Sequence, residues 1–292
     1  MKAKSVQFVT APQETHWVGD GFRVNNFIPA LPGLAMTDMD PFILLDYNQP
    51  MEVAPTDAPR GVGVHPHRGF ETVTLALKGR VEHHDSHGGG GVIGEGDVQW
   101  MTAARGVLHK EHYAADWARQ GGTFHMVQLW VNLPARDKMG EPAYQAITND
   151  RMGRYTSDDG RCTVEVVAGE YRGVRGPATT HSPMHLFRVR LAAGGRAEFS
   201  FSSAYNTVLL VLEGSVRIDG CTAVPTHNLA KFAHDGEAFT LEATDDALVL
   251  VMSGEPLREP IAAYGPFVMN TRAEIQAAFD DFNRGEFGQL AD

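Results

Sequence analysis

An imperfect internal repeat constrains this chain more than any single segment does. Residues 72–82 read TVTLALKGRVE, and residues 207–217 read TVLLVLEGSVR. Each copy is an apolar strand, a charged residue, a glycine turn and a second strand. The turn glycines, Gly79 and Gly214, lie 135 residues apart. Such self-similarity predicts two copies of one β-unit in tandem. Between the copies, short β-branched and apolar runs such as Glu71–Leu77, Met126–Asn132, His185–Leu191 and Ala247–Met252 are set off by turn residues, drawn from 31 glycines and 16 prolines. That pattern predicts an all-β sandwich or barrel. The stretch Leu133–Asp150 is rich in proline and polar residues and reads as the join. A first barrel over 1–140 and a second over 141–292 follow from it. One short C-terminal helix is expected, because Thr271-Arg-Ala-Glu274 has capping-box spacing ahead of IQAAFDDFNRG and Gly285 stops it.

The charge balance removes some function classes. There are 36 acidic against 25 basic residues, a net charge of −11, and no basic run, which argues against direct nucleic-acid binding. No apolar run reaches the ~18 residues of a membrane span, and the N-terminus lacks the apolar stretch of a signal peptide. Cys162 and Cys221 form no motif and read as reduced thiols. A cytoplasmic protein, monomeric because its two barrels pack on each other, is the resulting expectation.

Two short pairs carry the chemistry: His65 and His67 in GVHPHRGFET, and His109 and Glu111 in GVLHKEH. Side chains two apart on a strand point to the same face. Two such strands facing each other across a small barrel would present three imidazoles and one carboxylate to one cation. This donor set suits Fe(II), Mn(II), Ni(II), Co(II), Cu(II) or Zn(II). Four protein ligands on an octahedral ion leave two positions for guests, as a catalytic site requires. Pro66, between the first two ligands, cannot donate to a ladder, so its strand is expected at an edge or bulge.

The other polar candidates read more blandly. His83, His84, Asp85 and His87 in HHDSHGGGG could form a second metal site, but a solvated glycine-rich turn is the favoured expectation. His112 should face away from Glu111. Glu71 is a fifth ligand or a partner that orients an imidazole. His125 is structural, and Trp100–Met101 and Leu129–Trp130 are core or pocket wall, with core the favoured reading. The second copy has no HxH. Counting back from Gly214 as His65 and His67 precede Gly79 gives Ser200 and Ser202, and counting forward as His109 follows gives Thr244. The second barrel is therefore expected to lack the metal site, with His181, His185, His227 and His234 scattered.

HPHRGFETVT, GDVQWMTAARGVLHKE, VQLWVNLP with KMGEPAYQ, and YGPFVMNTRAEI together resemble the signatures of the pirin family, in the cupin superfamily. The resemblance covers nearly the whole chain. It implies two tandem cupin (jelly-roll) barrels, with a single iron in the first, and its ligand motif falls on His65, His67, His109 and Glu111. Two departures are visible: Glu95 stands where the family commonly has proline, and Ala104 where it commonly has glycine. Ala104 lacks glycine's freedom at positive φ. Similarity to quercetin 2,3-dioxygenases within the family implies an oxidoreductase that opens the central ring of flavonols with dioxygen and releases carbon monoxide. Glu111 is then the candidate base. Other pirins are similar in sequence yet regulatory, which implies the alternative of a redox-sensitive iron protein acting through a protein partner.

Overall fold

In the computed structural model, which describes residues 2–58 and 60–291, two jelly-roll β-barrels of one plan are formed. Each has a seven-stranded and a four-stranded antiparallel sheet. The all-β architecture with a short C-terminal helix is as expected from the sequence. No helix among the described residues is long and apolar enough to cross a membrane.

In the first barrel the large sheet runs in the order Ala143–Ile147, Val98–Thr102, Phe70–Lys78, Gly122–Asn132, Phe42–Val53, Phe22–Ile28 and His16–Val18. The small sheet runs Gly61–His67, Val107–Tyr113, Val81–Asp85 and Gly90–Ile93. Phe70–Lys78 lies inside the large sheet and is buried along nearly its whole length, including its polar Glu71, Thr72 and Thr74. Gly61–His67 is an edge strand, which accommodates Pro66 as anticipated.

The compact units are not the contiguous segments 1–140 and 141–292. One unit is Gln13–Asp150 with Leu257–Asp292, and the other is Met1–Pro12 with Arg151–Pro256. The physical reason is edge pairing and tail packing. Val6–Thr10 pairs antiparallel with Leu229–Phe232 and closes the large sheet of the second barrel. The tail, with hairpin Ala262–Tyr264 and Phe267–Met269 and helix Arg272–Asn283, buries Phe267, Met269, Ile275, Ala278 and Phe287 as one apolar cluster of the first unit. The helix starts as its sequence dictates: Thr271 Oγ1 accepts from the Glu274 amide at 3.2 Å, and Glu274 Oε2 accepts from the Thr271 amide at 2.7 Å.

Lys138 locks this tail in place. Its ammonium is 1% exposed and donates to Gly69 O and Asn132 Oδ1 at 2.6 Å and to Val268 O at 3.0 Å. Burial lowers its pKa to about 8. Lys138→Met leaves three buried acceptors without that donor. We expect a loss of about 3 kcal/mol. In thermal unfolding the midpoint should fall by roughly 6–12 °C; an unchanged midpoint would refute the locking role.

Candidate metal centre

Antiparallel register builds the site. His65 on the edge strand pairs directly with His109, and a register shift between His109 and Glu111 places Glu111 opposite Val62. This bulge re-aims the second pair beside the first. The rings of His65, His67 and His109 have centroids 4.1–4.8 Å apart. One ligand atom from each lies within 4.8 Å of the others, and no further group of this kind occurs among the described residues.

Each ring uses Nδ1 away from the trio. His65 Nδ1 donates to Gly63 O at 2.8 Å and His67 Nδ1 to Pro266 O at 3.2 Å. His109 Nδ1 lies 3.0 Å from Nε2 of His83. Nε2 of each ring is left for the shared centre, and His109 Nε2 is buried with no protein partner. Burial lowers the pKa of all three histidines, so they are neutral. Three uncharged imidazoles converging with their lone pairs repel one another unless a cation lies between them. The residues therefore fit a borderline transition-metal ion. Pro266 belongs to the C-terminal tail, so the tail helps orient a residue of the site.

Glu111 stands outside the histidine trio but lines the same cavity. Its Oε1 accepts from Thr74 Oγ1 and Gln99 Nε2, both at 3.1 Å, and its Oε2 from Gln128 Nε2 at 3.4 Å. Burial raises its pKa, and these three donors restrain the rise. The donors come from a polar row. Asn26, Asp46, Gln128, Thr74 and Gln99 oppose one another in register across five successive strands of the large sheet. Directly opposed residues share a face, so the row crosses an otherwise apolar wall.

The cavity holds about 170 Å³ and is walled by Phe22, Leu44, Val62, Met126 and Trp130, with His65, His67, Asp46, Glu111 and Gln128 as its polar lining. Asp46 was not singled out from the sequence. It accepts from Asn26 Nδ2 at 2.6 Å, and burial raises its carboxyl to about 6. Of the two expected readings, pocket wall holds for Trp130, which also packs on a buried apolar cluster, and core holds for Trp100, which is fully buried. The sequence signal for the polar row is a lone glutamine within apolar strands, VQW and VQLW.

His83 corrects an expectation. It is 0% exposed on strand Val81–Asp85 and stacks on Tyr144, with centroids 5.3 Å apart and planes 8° apart. The HHDSHGGGG stretch is thus a solvated turn only in part, since His84 is exposed and faces the other way. Glu71 is buried, accepts from Thr102 Oγ1 at 2.7 Å and does not join the trio. His125 is buried with Nε2 3.0 Å from Tyr47 OH, a structural contact. Ala104 adopts φ +42°, held because its carbonyl accepts from the Gly69 amide at 2.9 Å. The left-handed backbone costs alanine on the order of 1 kcal/mol there.

In the second barrel, Phe199 pairs with Phe239 as His65 pairs with His109. Phe199, Phe201 and Phe239 are all buried, so aromatic packing stands where the first barrel has its imidazoles. The ungapped count to Ser200, Ser202 and Thr244 missed these positions because the loops differ in length. A larger cavity of about 510 Å³ lies over these rings, but it contains no histidine cluster.

Residues 21–131 match the family model for pirin, and residues 186–288 match that for the pirin C-terminal cupin domain. A Pseudomonas aeruginosa protein named "Putative quercetin 2,3-dioxygenase" is 45% identical over 97% of this chain and 98% of its own length. A "Pirin-like protein" of Caulobacter vibrioides is 42% identical over 85% of this chain and 87% of its own. A crystal structure of a quercetin 2,3-dioxygenase from Acinetobacter baumannii superposes with a TM-score of 0.93 at 45% identity, covering 99% of this chain and all of that one.

Proposed function

Because this chain belongs to the pirin family, we propose that it is a metal-dependent dioxygenase that opens the central ring of a flavonol such as quercetin and releases carbon monoxide. His65, His67 and His109 hold the metal, iron(II) in this reading, with Glu111 as the fourth ligand or its neighbour. Bound there, the ion supplies Lewis acidity and the one-electron chemistry that dioxygen needs. The observation that carries the reading is a converging imidazole trio, two of whose rings, His65 and His67, line a largely apolar cavity together with the carboxylates of Asp46 and Glu111.

The chain's own residues have separable tasks. Glu111 accepts the proton of the flavonol hydroxyl nearest the trio, because its raised pKa makes it a better base than an exposed carboxylate. Phe22, Leu44, Met126 and Trp130 exclude water and contact the planar rings. A volume of about 170 Å³ takes the hydroxylated edge of a flavonol rather than the whole molecule. Asp46, on the wall, accepts a second hydroxyl. The same reading places the protein in the cytoplasm, where Cys162 and Cys221 remain free thiols.

The test is direct. Protein loaded with iron(II) and given quercetin in air should bleach the flavonol absorbance and release carbon monoxide, and His65→Ala should do neither. Retained metal without bleaching would contradict the enzyme and favour the redox-sensitive regulator.

Asp46 supplies a prediction with a definite sign in metal-free protein. Its carboxyl rises from 3.8 to about 6 on folding through burial, opposed by the Asn26 hydrogen bond and the charge of His16. The folded chain therefore binds the proton more tightly. This contribution to stability is complete below pH 3.8 and is lost as pH rises through about 6. At pH 7.5 a buried charge remains, so Asp46→Asn should stabilise the metal-free protein by up to about 3 kcal/mol. The gain should vanish near pH 4 in parallel denaturant titrations. A gain independent of pH would refute the assignment.

A further inference from the structure

The three imidazoles differ in what holds their outer nitrogen. His65 and His67 donate Nδ1–H to backbone carbonyls, which can only accept. Those two tautomers are therefore fixed by the main chain. His109 instead meets a second imidazole, whose Nε2 could donate or accept, at 3.0 Å. A fully buried histidine pair in which one ring belongs to the trio is otherwise unexplained by the fold. His83 lies on a strand paired in register with the one carrying His109 and Glu111, directly opposite Glu111.

We propose that His83 is a positioning residue that accepts Nδ1–H of His109 at its own Nε2, thereby reserving His109 Nε2 as a lone-pair donor to the metal. This rests on the metal reading above. The opposite polarity, with His83 donating, would put the remaining proton of neutral His109 on Nε2, the buried nitrogen that faces the trio. A proton there blocks ligation. Only one direction of this hydrogen bond is thus compatible with three nitrogen ligands. Stacking on Tyr144 fixes the plane of His83, and Asp85, one turn of the pleat further on, braces the following loop by accepting from the amides of His87 at 2.8 Å and Gly89 at 2.9 Å. The Tyr144 stack therefore orients His83 from outside the site, while its Nδ1 is buried with no hydrogen-bond partner among the described residues. Outer hydrogen-bond partners of this kind are typically worth about 10–100-fold in metal affinity.

The experiment uses the full chain and zinc(II), which is diamagnetic. Nitrogen-15 NMR of the zinc-loaded wild type should show His109 protonated at Nδ1, and His83 protonated at Nδ1 with Nε2 as the acceptor. Competition with a chelator should show His83→Leu binding zinc about 10–100-fold more weakly than wild type. His83→Gln, whose amide oxygen can accept the same hydrogen, should recover most of the loss. A zinc-loaded wild type with His83 protonated at Nε2 overturns the proposal without any variant having to fold. Equal zinc affinity in His83→Leu, or equal weakening in His83→Gln and His83→Leu, also overturns it while leaving the metal centre intact. Failure of the wild type to take up zinc overturns this proposal and the metal reading together.

Discussion

Glu111→Gln should retain bound metal and lose quercetin turnover by roughly 10²–10⁴-fold, the range over which a positioned proton acceptor contributes. The substitution preserves shape, and Thr74 and Gln99 still find an oxygen on the side where they donate now. The amide nitrogen falls on the side of Gln128, whose 3.4 Å contact is the longest of the three. What disappears is the capacity to take a proton. The measurement is kcat at saturating metal, with metal content determined on the same sample. Full turnover with metal in place would remove Glu111 from the proton-accepting role.

His109→Ala should be more severe, because it acts on metal and on packing at once. It removes one of three nitrogen donors and strips His83 Nε2 of its only described contact at that nitrogen, in a site that is 0% exposed. Metal affinity should fall by more than the about 100-fold typical of losing an outer partner. Turnover should then be undetectable at stoichiometric metal. The check is metal content after gel filtration, beside circular dichroism to show that the barrel persists. Wild-type metal content in this variant would mean that the trio is not the binding site.

The parts of this molecule that were readable from sequence are those governed by local rules. The repeat around Gly79 and Gly214 announced two β-units because strand and turn chemistry are short-range. The capping box at Thr271 and Glu274 announced the helix start for the same reason. His65, His67, His109 and Glu111 stood out because a spacing of two fixes a shared face in any strand. The parts that were hidden depend on pairing between distant strands. Val6–Thr10 is a short five-residue strand, and nothing local says that it pairs with the second barrel rather than the first. The tail's contribution through Pro266 and Val268 needed the tertiary fold. His83 sits in a run of polar and glycine residues, so composition suggested solvent, whereas the period of two places it inside and His84 outside. Asp46 and its row become visible only once five strands are in register.

Anomalous diffraction from crystals supplied with iron(II) without oxygen is the most direct test of the metal centre. One peak per chain is expected, within coordination distance of Nε2 of His65, His67 and His109. A featureless map at the trio, or a single peak at exposed residues such as His84 and His87, would contradict the account.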